Sequence, residues 1–227
     1  MTAHEFHSES LRSDLVRRFR TITRTVNIAA RDVTLLSPAN ADDLISEDDY
    51  VADERLPYWA DLWPSAQILA DEMAVMRLGG LRVLELGCGL GAVAIGATMG
   101  GAAVTATDYY ADAIEFARLN VFDATGVVIS TRMVDWSKLP ADLGKYDMVV
   151  ASDVLYEPRY STLVRDVMVR ALAKGGEGII ADPGRIATPD FLEACSTAGL
   201  SSEPDARSWT DGEIKQTITL HRLHWRA

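Results

Sequence analysis

The chain has 227 residues, 48% hydrophobic and 24% charged, and its 22 basic and 33 acidic side chains leave a net charge of −11. That length and composition suit one domain with a sizeable core, and so acidic a balance argues against gripping a nucleic-acid backbone by general electrostatics. Two cysteines are too few for a disulfide framework and fit a reducing cytoplasm, and neither a signal-peptide pattern nor an apolar run of about 18 residues is seen.

In chain order, residues 1–31 carry six arginines against three acids. Leu11, Leu15, Phe19, Ile22 and Val26 recur at intervals of four and three, which predicts an amphipathic helix over 8–27. It either packs on the main domain or offers a surface to a partner. Residues 42–54, DDLISEDDYVADE, hold seven acids and no base, a pattern of solvated loops. Residues 1–56 are expected to form this helix and acidic loop, on or before a main domain at 57–227. Pro57 and Pro64 frame PYWADLWP, and a helix is predicted from Pro64 with Leu69, Met73 and Met76 inward.

From Leu81 strands and helices alternate. Strands are expected at LRVLEL, AAVTATD, VVISTRMVD, YDMVVASD and GEGIIAD, with a long final strand at EIKQTITLHRLHW. Helices are expected at 91–99, 110–122, 158–173 and 189–198. Such alternation implies an α/β fold, with a mostly parallel sheet covered on both faces. Ligands then bind outside the carboxyl ends of the strands, just after Leu86, Thr107, Val134, Ser152 and Ala181.

The first of these strands ends in Glu85-Leu86-Gly87-Cys88-Gly89-Leu90-Gly91-Ala92. Gly87, Gly89 and Gly91 let the backbone turn tightly and approach a ligand closely. Gly87, Gly89 and Ala92 also satisfy the dinucleotide fingerprint, and Asp108, at the end of the second strand, can accept from two ribose hydroxyls under either reading. Two features separate the readings. A carboxylate at Glu85 would repel a diphosphate and favour a cation such as S-adenosylmethionine. Asp135-Trp136 supplies an acceptor for an adenine amino group and an indole for its face; a helix N-cap acid and a core or rim aromatic are the simpler alternatives.

With those residues in view, the chain resembles the class I S-adenosylmethionine-dependent methyltransferases over roughly residues 57–185. The resemblance implies a Rossmann-like seven-stranded sheet, with helices on both faces and one antiparallel strand from a final hairpin. It implies that Gly87, Cys88 and Gly89 wrap the methionine portion, with Glu85 orienting it and Gly91 also binding the cofactor. Asp108 would hold the ribose, and Asp135 and Trp136 would frame the adenine.

The fourth strand ends Ser152-Asp153-Val154-Leu155-Tyr156. D-x-x-Y here, after the W-P element at 63–64, is similar to methyltransferase family 16. PYWADLWPSAQ and Asp182-Pro183-Gly184-Arg185 look most like the lysine methyltransferases of the electron transfer flavoprotein β-subunit. This likeness implies that Trp63 and Ser152 contact the cofactor, and that Asp153 and Tyr156 meet the lysine of a protein substrate. The acid run at 42–54, ahead of Trp59 and Trp63, would steer a lysine-rich surface. A small-molecule methyltransferase, a cofactor-holding module without catalysis and, less favoured because of Glu85, a nicotinamide-dependent dehydrogenase are the alternatives. The histidines are too scattered for a metal site, and no metal is predicted. Ser65 and Ser137 are read as helix caps. Arg185 is either an ion-pair partner or part of the substrate rim.

Overall fold

The structure is a computed structural model that describes residues 6–44 and 57–226. The helices are α1 (Ser8–Arg18), α2 (Pro64–Val75), α3 (Ala92–Met99), α4 (Ala111–Thr125), α5 (Tyr160–Ala171) and α6 (Thr188–Thr197). A hairpin of β1 (Thr21–Ile28) and β2 (Arg31–Pro38) stands apart from the main sheet. The main sheet comprises β3 (Arg82–Leu86), β4 (Ala103–Asp108), β5 (Ser130–Met133), β6 (Tyr146–Ser152), β7 (Leu172–Asp182), β8 (Leu200–Asp211) and β9 (Ile214–Trp225). Its order is β5-β4-β3-β6-β7-β9-β8, with β9 antiparallel to both of its neighbours. No helix among the described residues is long and apolar enough to cross a membrane.

The apolar strands are continuous because both of their faces are buried. Val83, Met148, Val150, Ile179 and Ala181 enter one core with residues of α2, α3 and α4. Leu84, Leu86, Val149, Ala151 and Ile180 enter the other with residues of α5 and α6. The sheet is therefore a filled middle layer, and the carboxyl termini of β3, β4, β5 and β6 emerge together at one end of it.

The N-terminal segment differs from the sequence expectation. The helix ends at Arg18, and residues 21–38 form the hairpin. Leu11, Leu15 and Phe19 do pack together, with Leu36, Leu90, Phe116 and Leu119. Beyond them, Thr21, Thr23 and Thr25 alternate with other side chains, a β-branched pattern that suits a strand better than a helix. Val26, Ile28, Val33 and Leu35 join the main core. Asn120, fully buried on α4, ties the hairpin in: its side chain accepts from the Leu36 N–H and donates to the Leu36 and Leu90 carbonyls, at 2.8–3.0 Å. On α1, Arg12 pairs with Asp123, and Arg18 with Asp112 and Glu115. These arginines serve docking of the helix on α4. The rest of the acid run from residue 45 lies outside the described residues.

Two further differences are local. The polar stretch Leu200–Asp211 is a strand, paired along its length with β9. Ser137 caps no helix: its N–H and hydroxyl both bond Asp135 Oδ1, at 2.8 and 2.6 Å, in a tight turn.

Candidate active site

A cavity of about 360 Å³ opens at the carboxyl ends of the central strands. Trp63, Gly87, Cys88, Gly89, Asp108, Asp135, Trp136, Ser152, Asp153 and Tyr156 all line it. Glu85 and Gly91 do not. The sequence therefore pointed to one place, with two residues facing elsewhere.

The loop between β3 and α3 runs through left-handed backbone at Gly87, Gly89 and Gly91, with φ of 67°, 49° and 85°. A Cβ at Gly89 would meet the Trp59 carbonyl oxygen at 3.0 Å, so the loop is pressed against the segment before α2. A Cβ at Gly91 would stand 2.9 Å from the Ala117 Cα. Gly91 is thus a packing glycine between α3 and α4, not a cavity wall. The loop is stitched to β4 by Cys88 N–H to the Thr107 carbonyl, 2.9 Å, and by Gly89 N–H to Asp108 Oδ2, 3.0 Å.

Burial governs the acids here. Asp108 also accepts from the Tyr110 N–H at 3.1 Å; desolvation raises its carboxyl above the usual range, and its backbone N–H partners oppose that. Glu85 is 2% exposed behind the loop. Its burial, with the nearby Asp108 charge adding, pushes its carboxyl well up, and the Ala94 N–H opposes this. Its Oε2 has no hydrogen-bond partner among the described residues. Glu85 therefore links β3 to the first turn of α3 and presents no open charge to a ligand. The Cys88 thiol is pushed well up by burial and then by Asp108 and Glu85. Since the thiolate is the nucleophilic form, Cys88 is a wall residue and no nucleophile.

This arrangement yields a first prediction. A raised carboxyl pKa contributes stability that is complete below the unfolded value, about 4.3, and is lost as pH rises through the folded value. At neutral pH wild type bears that cost. Glu85→Gln keeps an acceptor for Ala94 and removes the titration, so it should gain about 1–3 kcal/mol, or about 2–4 °C per kcal/mol. Thermal unfolding should show the gain at neutral pH and its shrinkage toward pH about 4. An equal gain at both pH values would refute the assignment.

Trp136 packs edge-on against Tyr160, with 5.6 Å between centroids, and begins a row of rings: Tyr160–Tyr156 at 5.0 Å, Tyr156–Tyr58 at 5.2 Å and Tyr58–Trp63 at 6.0 Å. Burial first, and then Tyr160, raise the Tyr156 hydroxyl. This wall would sleeve a long aliphatic side chain.

Asp153 stands at its end, 8% exposed, in left-handed backbone with φ 59°. Its N–H is held by the Ala181 carbonyl at 2.9 Å. Oδ2 accepts from the Ser65 hydroxyl at 3.1 Å, and Oδ1 from Arg185 Nε at 2.5 Å. Ser65 is thus a partner of Asp153 from the first turn of α2, not the cap expected. Arg185 is an ion-pair partner, with its guanidinium 5.5 Å from the centroid of Trp63. Sequence reasoning also passed over Tyr58, Tyr110, Arg159 and Tyr160 on the cavity wall. Only Tyr160 carried a signal, four residues after Tyr156 at the start of a helix. Among the described residues, no group of three or more His, Cys, Asp or Glu side chains is placed to hold a metal ion.

The chain is 36% identical over 138 residues to the electron transfer flavoprotein beta subunit lysine methyltransferase of Xenopus laevis, covering 57% of this chain and 53% of that protein. It is 35% identical over 109 residues to protein N-lysine methyltransferase METTL21A of Xenopus tropicalis, covering 45% and 50%. The chain thus spans about half the length of these curated relatives. The solved structure of magnesium protoporphyrin IX methyltransferase from Synechocystis with bound SAM aligns with a TM-score of 0.59, at 19% identity, over 81% of this chain and 94% of that one; this likeness is one of fold. A family model described as lysine methyltransferase matches residues 59–187. With more than half of its length matched, this chain belongs to the lysine methyltransferase family.

Proposed function

We propose that this chain transfers a methyl group from S-adenosylmethionine to the side-chain amine of a lysine on a protein. The observation that carries the reading is a carboxylate, Asp153, at the end of an aromatic wall in the cavity that the glycine loop forms. The residues fit the cofactor. Gly87 and Gly89, both in left-handed backbone, line the cavity with main chain that a bound methionine portion can approach closely. Trp136 lines the cavity and would lay its indole against an adenine. Asp108 lines the cavity, and each of its oxygens, already accepting one backbone N–H, has a second acceptor direction for a ribose hydroxyl. Asp135, with Trp136, would frame an adenine, and Trp63 and Ser152 would close the site.

When bound, the cofactor supplies a methyl group on a sulfonium: the amine lone pair forms the C–N bond as the C–S bond breaks, and that electron pair stays on sulfur. The chain's own part is placement, which contributes much of the rate of an in-line displacement. Tyr58, Tyr156 and Tyr160 guide the alkyl stem, and Asp153 accepts an N–H of the amine and points its lone pair. An acidic chain suits a basic protein surface better than nucleic acid. The two free, buried cysteines suit a reducing compartment such as the cytoplasm.

Labelled cofactor incubated with cell lysate tests the reading. Label on a lysine of a protein supports it; label confined to small molecules would make the acceptor a metabolite, and calorimetry showing no cofactor binding would remove the premise. Asp108→Ala should weaken cofactor binding by about a hundredfold or more, since hydrogen bonds to a charged acceptor are worth about 1.5–3 kcal/mol each. Affinity within about threefold of wild type, roughly 0.6 kcal/mol, would exclude Asp108 as the ribose anchor.

A further inference from the structure

The contacts of Asp153 raise a difficulty that its partner resolves. A lysine side chain has a reference pKa of about 10.4 and must lose its proton before it can attack. A buried carboxylate nearby would favour the charged ammonium and so oppose that loss. The rest of the cavity is acidic as well: Asp61, Asp108 and Asp135 line it, and Arg159, which also lines it, pairs with Glu157 at 2.7 Å. Tyr58, Cys88, Tyr109, Tyr110, Tyr156 and Tyr160 are the other titratable groups on its wall.

Arg185 is built against this tendency. Asp182, fully buried at the end of β7, uses Oδ1 to accept from the Gly184 N–H, the Arg185 N–H and the Thr188 hydroxyl, at 2.6–2.8 Å. That turn aims the arginine back across the strand ends. Its Nε meets Asp153 Oδ1 at 2.5 Å, with the Trp63 ring beside the guanidinium. An arginine keeps its charge at every pH of interest. Each carboxylate oxygen has two acceptor directions. Asp153 can therefore keep Arg185 and Ser65 and still take one N–H from an incoming amine.

We propose that Arg185 is a positioning residue that neutralises Asp153, so that an entering lysine gives its proton to solvent and remains as the neutral nucleophile. Asp153 then orients the amine without holding it as an ammonium. The inference rests on the lysine-methylating reading above. Arg185 touches the carboxylate and need not touch the methyl group.

The test is the pH dependence of transfer from tritiated cofactor into the protein of a dialysed cell lysate, from about pH 6 to about pH 10, around the lysine range. Wild type, Arg185→Gln and Arg185→Lys are compared. Arg185→Gln should lose about tenfold at neutral pH for each unit by which the amine's pKa rises, and should approach wild type at the alkaline end. Arg185→Lys, which keeps the charge, should track the wild-type profile. Cofactor affinity by calorimetry shows that each variant is folded, and Arg185→Met carries the same test if Arg185→Gln fails to bind. A loss equal at every pH, or faster transfer by Arg185→Gln at neutral pH, overturns the inference and leaves the proposed function standing. Wild type that labels no protein overturns both.

Discussion

Asp153→Asn should abolish most methyl transfer to protein, by about a hundredfold or more, while cofactor affinity stays within a few fold of wild type. The choice of asparagine follows from the backbone. Asp153 has φ 59°, and Asn and Asp are the non-glycine residues that tolerate this region best. Asn also keeps an acceptor oxygen for Arg185, and its NH2 can donate to the Ser65 hydroxyl, which turns to accept. Asp153→Ala is the poorer probe. It strands both donors, the fully buried Ser65 hydroxyl at about 1–3 kcal/mol for an unsatisfied buried group, and adds left-handed strain of about 1–2 kcal/mol. Asp153→Ala should therefore melt below Asp153→Asn, although both lose transfer. Paired calorimetry and labelling make the assay, and normal methylation by Asp153→Asn would end the role assigned to this carboxylate.

Why this carboxylate was legible in the sequence, while its partners were not, has a physical reason. A strand buried on both faces is a short apolar run, and a polar residue at its carboxyl end must face the crevice. Val149, Val150 and Ala151 followed by Ser152 and Asp153 state that almost directly. The glycine loop is as readable, because alternating glycines between a strand and a helix have few other uses. Ser65 and Arg185 meet Asp153 across 88 and 32 positions of chain, and no local period encodes such contacts. Glu85 and Gly91 sit inside the motif yet turn away from the cavity, since a motif fixes the path of the backbone and not the face of each side chain. The β1–β2 hairpin was hidden by its turn. Ala29 and Ala30 take φ of 49° and 62°, where glycine or asparagine is the usual signal. The turn is held from outside instead, by Asp71 Oδ1 accepting the Ala29 N–H at 2.8 Å. The β8 strand was hidden because it is an exposed sheet edge, where polar residues and Pro204 are tolerated.

The largest stability effect is expected where two helices touch by their backbones. Gly96 lies in the middle of α3, and a Cβ there would stand 2.2 Å from the Ala70 carbonyl oxygen of α2 and 2.9 Å from the Ala70 Cα. In an isolated helix, Gly→Ala is favourable by about 1 kcal/mol. Here the sign reverses, because the obstructing atoms belong to a helix backbone that cannot rotate aside, so α2 and α3 must separate. Overpacking costs about 1–3 kcal/mol where side chains can yield, and a backbone clash belongs at or above the upper end. Gly96→Ala should lower Tm by about 6 °C or more, at about 2–4 °C per kcal/mol for a domain of this size. Gly79→Ala is the control, since a Cβ there meets nothing within 4 Å, and its Tm should hold. The separation reaches the active site as well: α2 carries Ser65 toward Asp153, and α3 begins at the glycine loop. Gly96→Ala that still folds should therefore bind cofactor more weakly and transfer methyl more slowly than Gly79→Ala. A Tm at or above wild type would mean that α2 yields to the added methyl, and that the close approach of these helices does not hold the loop against Asp153.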